Sequence, residues 1–245
     1  NTSTFIGNLE KFGKRYKALP MDSGRHNYVD ITGKVPSSLK PSSLAKIKVT
    51  KQPTFSSSAK GYIEEILDSS NPVTAANEIA ISRFNLRSKW NRNIVNDLKK
   101  IKKLDLATSS PRIDLSELPF VTIDGKNAKD FDDAVCAEET NKGDLNLYVA
   151  IADVSHYVEV DSFIDNEART RGTSIYFTNK VLPMLPEEIS NKLCSLRPKE
   201  KKACLVCKAE LDKKGKLKEA SFFEAIIESK ARLTYKETSN FFEKE

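Results

Sequence analysis

Between residues 4 and 67 the chain alternates apolar and polar positions in short runs, the period of half-buried strands. Five runs stand out: TFIGNLE, RYKALP, NYVDI, AKIKVT and KGYIEEIL. Gly, Pro, Ser and Asn cluster between them, as in PMDSGRHN and GKVPSSLKPSS. Five short strands in so short a span predict a small Greek-key barrel of the OB type.

The period then lengthens. Asn71 and Pro72 supply a helix cap and a first helical residue, and VTAANEIAISRF carries apolar residues at helical spacing. NLRSKW interrupts this helix. NRNIVNDLKKIKKL resumes with Ile94, Leu98 and Ile101 on one face, and ATSSPRIDLSELP reads as an extended connection. From Phe120 strands return: FVTI, then a hairpin of DDAVCAEE and LNLYVAIADVSHYV joined through NKGD. SFIDNEARTRG predicts a helix capped by Asp161 or Ser162 and ended at Gly172. PEEISNKLCSL predicts a short helix opened by Pro186. KACLVCKAELD and LKEASFFEAIIESKA form a second hairpin around Gly215, and TYKETSNFFEKE starts a last helix. The expected fold class is α+β multidomain: a barrel over 1–68, a helical linker over 69–109 and a mixed α/β domain over 110–245.

Charge divides the chain. Residues 1–105 hold 19 Lys/Arg against 9 Asp/Glu, and residues 106–245 hold 21 against 25. A basic front half favours a polyanion such as nucleic acid over a solvated surface with no partner only when a second signal joins it. That signal is the set of aromatics among the barrel lysines, Phe5, Phe12, Tyr16 and Tyr28. Each reads either as a core residue or as a base-stacking platform. No run of about 18 apolar residues exists, so no membrane partner is expected, and the N-terminus has no leader pattern. A cytoplasmic protein is expected. The chain begins with Asn, which suggests a fragment of a longer protein.

Cys204 and Cys207 have metal-ligand spacing, but on a strand positions three apart face opposite ways. No second pair of that spacing accompanies them, so Cys136, Cys194, Cys204 and Cys207 read as reduced thiols of the interior.

The chemistry concentrates in FVTIDGKNAKDFDDAVCAEE, where Asp124, Asp130, Asp132 and Asp133 fall within ten residues between apolar, β-prone flanks. A regular strand would turn Asp130 and Asp132 away from Asp133. Convergence therefore needs an irregular loop, for which Asp124-Gly125 and Asn127 offer turn chemistry. Neighbouring carboxylates raise one another's pKa, and an all-oxygen set selects hard Mg²⁺ or Mn²⁺. The EF-hand pattern fails from Asp124 and from Asp130 alike, and an acidic surface turn does not account for the apolar flanks. A divalent ion there would suit phosphodiester hydrolysis.

Five blocks carry a resemblance: PFVTIDGKNAKDFDDAV, LYVAIADVSHYV, EARTRGTSIYF, LPMLPEEISNKLCSL and ARLTY. Together they resemble the ribonuclease II/R family, and RGTSIYF and SNKLCSL lie closer to its ribonuclease R branch. The resemblance implies a processive 3′→5′ exoribonuclease with cold-shock barrels ahead of its catalytic domain. It implies Mg²⁺, with Mn²⁺ as a possible substitute, on Asp124, Asp130, Asp132 and Asp133. Asp132 would be the catalytically most sensitive and Asp130 a support. Tyr176 would stack on a base near the 3′ end of single-stranded RNA. Near such a site Arg169 and Arg171 could contact phosphate, and Arg171 is taken as the RNA contact. The family also implies further catalytic residues beyond Glu245. The competing expectation is a non-catalytic RNA clamp. No protein partner is indicated.

Overall fold

The computed structural model describes residues 4–21, 28–36, 39, 42–67, 71–101 and 111–243. Residues 22–27, 37–38 and 40–41 of the expected turn stretches, the last turn expected of the second helix and the start of the extended connection lie outside the described residues.

The front of the chain closes into a five-stranded barrel: β1 (Thr4–Phe12), β2 (Arg15–Pro20), β3 (Val29–Ile31), β4 (Leu44–Lys51) and β5 (Ala59–Ile66). Their order around the barrel is β1-β2-β3-β5-β4, with β4 pairing back on β1. All pairs are antiparallel except β3 with β5. The alternation in β4 shows why. Ala45, Ile47 and Val49 turn into the core while Lys46 and Lys48 turn out. Gly61 lets β5 pass close to β4; a Cβ there would sit 2.8 Å from the Lys48 carbonyl oxygen. Helix α1 (Pro72–Arg83) is capped by Asn71, whose side chain accepts from the Thr74 N–H. Its Ala75 and Ile79 pack on Ile6, Leu44 and Leu67.

Next in the chain come α2 (Arg92–Lys100), β6 (Ile113–Asp114), β7 (Val121–Asp124), β8 (Asp133–Glu139), β9 (Leu145–Ala152) and α3 (Phe163–Arg171). They are followed by β10 (Ile175–Tyr176), β11 (Val181–Leu182), β12 (Lys201–Leu211), β13 (Leu217–Glu228), β14 (Ala231–Thr234) and α4 (Tyr235–Phe242). Seven of these strands form one mixed sheet in the order β14-β7-β8-β9-β12-β13-β6. The interior strands are antiparallel, and the edge pairs β14–β7 and β13–β6 are parallel. Strand β6 covers only Ala225 and Ile226 of β13. Phe120, Ile94, Ile189, Leu196, Val206 and Ile227 are among the core residues against the sheet. Cys204 is buried and Cys207 half-buried, as their spacing on β12 requires.

The chain divides into two compact units, 1–89 with 175–182, and 90–174 with 183–245. The expected divisions at 68 and 109 do not coincide with the bounds of these units. Helix α1 belongs with the barrel and α2 with the sheet, because each buries its apolar face there. The β10–β11 hairpin goes with the barrel unit, where Asn179 accepts from Asn77 Nδ2 at 2.5 Å and Lys180 pairs with Glu78 at 3.0 Å. Ser162 caps α3, and Gly172 ends it at φ 72°. The helix expected over PEEISNKLCSL includes a π-helical turn, Ile189–Leu193, in which the Cys194 N–H reaches back to the Ile189 carbonyl.

Candidate functional site

Two of the four aspartates end strands and two lie in the loop between them. Asp124 is the last residue of β7 and Asp133 the first of β8. Those strands pair only at Val121 with Val135, so residues 125–132 are free to leave the sheet. The loop turns at 125–128, where the Ala128 N–H donates to the Gly125 carbonyl at 3.0 Å. Gly125 and Asn127 sit at ordinary negative φ, so the turn does not use the left-handed freedom their identities suggested. Between Asp130 and Asp132, Phe131 packs on the core. On either side of this anchor Asp130 is half-buried and Asp132 exposed.

The backbone of the loop is held from several elements. Arg232 on β14 donates from Nη2 to the Gly125 and Lys126 carbonyls at 2.6 and 2.8 Å, with its guanidinium over the Phe131 ring. The Ser195 hydroxyl accepts from the Phe131 N–H at 3.1 Å and donates to the Lys129 carbonyl at 3.2 Å. The Leu196 N–H meets the Phe131 carbonyl, and the Ala152 N–H meets the Asp132 carbonyl, each at 2.8 Å. Sequence reasoning missed Arg232 and Ser195. Each lies in a block that carries the resemblance, ARLTY and SNKLCSL, and that was the only signal available.

The Asp124 carboxylate is poorly satisfied. Asp124 Oδ2 is buried without a hydrogen-bond partner among the described residues. The Thr122 hydroxyl is near enough to ease the charge but does not bond with good geometry, and its own Oγ1 is likewise unpartnered. Burial pushes the Asp124 carboxyl above the usual range, Asp133 and Asp130 push the same way, and Arg232 offsets part of it. Asp132 still reaches solvent, yet protein atoms crowd its carboxyl. That burial, then Asp130, Asp133 and Asp124, raise its pKa too. As these side chains stand, no three His, Cys, Asp or Glu residues are grouped to hold a metal among the described residues.

Tyr176 is 68% exposed on β10, not a buried strand tyrosine. Arg171 is not a free cation. Its side chain is 6% exposed, Nε pairs with Glu167 at 3.0 Å, Nη1 donates to the Pro183 carbonyl and the guanidinium stacks on Trp90 at 3.7 Å. These contacts hold the Arg171 guanidinium against α3, Trp90 and the Pro183 carbonyl. Arg169 keeps its guanidinium at the surface, paired with Asp165.

On the barrel, a groove of about 730 Å³ is lined by Phe5, Lys17, Tyr28, Gln52, Phe55 and Ser57, among others. Phe5 and Tyr16 pack on the barrel core. Tyr28 bonds Glu10 through its hydroxyl, and Phe12 lies edge-on to Tyr28 at 5.4 Å. Phe55 stands fully exposed.

A closed barrel with an aromatic groove, and a mixed sheet whose loop gathers carboxylates, define a two-part chain with an acidic centre. Residues 112–245, more than half of the chain, match the RNB domain, and the chain belongs to that family. It is 42% identical over 190 residues to ribonuclease R of Escherichia coli, across 77% of this chain and 23% of that protein. It is 36% identical over 234 residues to ribonuclease R of Vibrio cholerae, across 95% and 28%. The chain thus spans roughly a quarter of the length of these relatives. Among solved structures, RNase R of Mycoplasma genitalium in complex with double-stranded RNA matches with a TM-score of 0.83 and 29% identity, covering 98% of this chain and 43% of that one. Yeast Ssd1, a pseudonuclease, shares the fold at a TM-score of 0.67 and 19% identity, covering 98% and 31%.

Proposed function

We propose that the whole protein is a processive 3′→5′ exoribonuclease of the cytoplasm that hydrolyses RNA to nucleoside 5′-monophosphates with Mg²⁺, Mn²⁺ serving as a substitute. The carrying observation is the acidic loop, in which one buried carboxylate oxygen has no partner and two carboxyls are pushed up by burial and by one another. Such a donor set, all oxygen and all anionic, fits a hard divalent cation. Asp124, Asp130, Asp132 and Asp133 would hold it. When bound, the ion supplies Lewis acidity at the phosphoryl oxygen and steadies the leaving oxygen.

The remaining work falls to the chain. Asp132, open to solvent yet raised in pKa, is suited to orient the attacking water and take its proton. Tyr176 offers an exposed ring to the 3′-terminal bases of single-stranded RNA. We read the barrel, with strand order β1-β2-β3-β5-β4, as an OB-type cold-shock module whose groove of aromatics and lysine holds the single strand. The ribonuclease R relatives and the RNA-bound Mycoplasma structure support RNA as substrate.

In the intact protein, Asp132→Asn should lower hydrolysis of a single-stranded RNA by about a thousandfold, the worth of several kcal/mol of charge stabilisation. RNA affinity should stay nearly unchanged. If turnover survives, the role of Asp132 is wrong. If the unaltered protein binds RNA without cutting it, the clamp reading takes over.

A further inference from the structure

The acidic loop is fastened at its centre by one buried hydroxyl. Ser195 is wholly enclosed, and its Oγ takes the Phe131 N–H and gives to the Lys129 carbonyl. The two bonded groups bracket Asp130, and Phe131 directly precedes Asp132. The next residue adds a third tie, from the Leu196 N–H to the Phe131 carbonyl at 2.8 Å.

Ser195 is in turn placed by an unusual piece of helix. The π-helical turn Ile189–Leu193 ends one residue before Cys194-Ser195-Leu196. A π turn lengthens the hydrogen-bond ring and leaves carbonyls without their ordinary partners. Here a buried ammonium meets them: Lys202 Nζ donates to the Lys192 carbonyl at 2.6 Å and to the Leu193 carbonyl at 3.4 Å, and pairs with Glu200 at 2.8 Å. Ile189, Cys194 and Leu196 are sunk in the core on either side. The segment is therefore rigid where it delivers the hydroxyl, as expected of a residue that holds a site in place.

We infer that Ser195 is a positioning residue of the carboxylate centre: its hydroxyl fixes the backbone on both sides of Asp130 and so sets where Asp130 and Asp132 stand for a divalent ion. It touches neither ion nor substrate. This inference rests on the metal reading above, and its test separates the two.

Hydrogen exchange followed by NMR and Mn²⁺ titration by calorimetry are made on this chain. The variants are Ser195→Ala and Ser195→Cys; the second keeps the volume but bonds weakly through sulfur. Both should speed exchange of the Phe131 amide about tenfold, the loss of one hydrogen bond. Both should weaken Mn²⁺ about tenfold, the low end for a residue that supports ligands without being one. The control is Ser116→Ala, which removes a buried serine hydroxyl from the turn after β6. It should leave both readings unchanged. Unaltered exchange at Phe131 in both variants overturns the clamp. Faster exchange with intact Mn²⁺ affinity overturns the positioning role. Failure of the unaltered chain to bind Mn²⁺ sinks the metal reading, and the role of Ser195 with it.

Discussion

Three places in the sheet unit carry charge into the protein, and one treats it differently from the other two. Around α3 each buried charge meets its opposite. Arg171 lies between Glu167, the Pro183 carbonyl and the Trp90 ring. A similar arrangement follows β9, where Arg112 pairs with Asp153 at 2.6 Å and Asp153 also accepts from Ser155 and the His156 N–H. Burial alone would raise the Asp153 carboxyl, but these bonds bring it below the usual range. In the acidic loop burial first, and then the neighbouring carboxylates, push the Asp124 and Asp132 carboxyls up. A chain that solves the problem twice and leaves it unsolved once marks the unsolved place as the one meant for something else.

The contrast breaks most visibly at α3. Arg171→Ala should cost about 3–5 kcal/mol of stability in urea melts, since it strands Glu167 in the interior. The salt dependence of RNA binding should not change, because no phosphate contact is lost. A shallower salt slope would return Arg171 to the binding surface.

The acidic loop should respond with the opposite sign. In EDTA, Asp132→Asn removes one of several mutually repelling charges and should stabilise the chain by up to about 1 kcal/mol, solvent screening setting the ceiling. Added Mn²⁺ should reverse the order by favouring the unaltered chain. A destabilised variant in EDTA would mean that the carboxylate is already satisfied.

The smallest effect is in the pH profile. Folded Asp124 and Asp132 bind protons more readily than when unfolded, so their contribution is favourable below about pH 4 and is lost as pH rises through their raised values. Asp153 does the reverse, and its contribution is lost as pH falls through its lowered value. The stability advantage of an Asp124→Asn, Asp132→Asn double variant in EDTA should therefore grow from about pH 4 to about pH 7. An advantage that stays flat would show that the carboxyls titrate normally.

Much of this was legible in the sequence where the cause is local. The barrel strands follow from alternation and turn residues. Asn71-Pro72 and Ser162 with Gly172 mark the ends of α1 and α3, since caps act within a turn. The four aspartates were visible as a cluster because their neighbours in sequence are also their neighbours in space. What escaped was long-range. Ser195 meets a loop 64 residues away, and Arg232 holds a carbonyl 107 residues away. Arg171 gave no sign of its enclosure because Trp90 and the Pro183 carbonyl had to be brought to it. Strands β6 and β14 were missed, since a parallel edge of two or four residues has too little period to read. The π turn differs from an α-helix only in which carbonyl an amide reaches, and composition does not record that.

The partial cover of β13 has a consequence for how this chain behaves in concentrated solution. Among the described residues β6 lies along only two of the twelve residues of β13, and no other described strand pairs with that edge from Leu217 onward. Such an edge can template aggregation, and Phe222, largely exposed there, would add to the attraction. The stretch also carries Lys218, Glu219 and Glu224. Charged side chains on an edge strand are a usual guard against pairing with another chain.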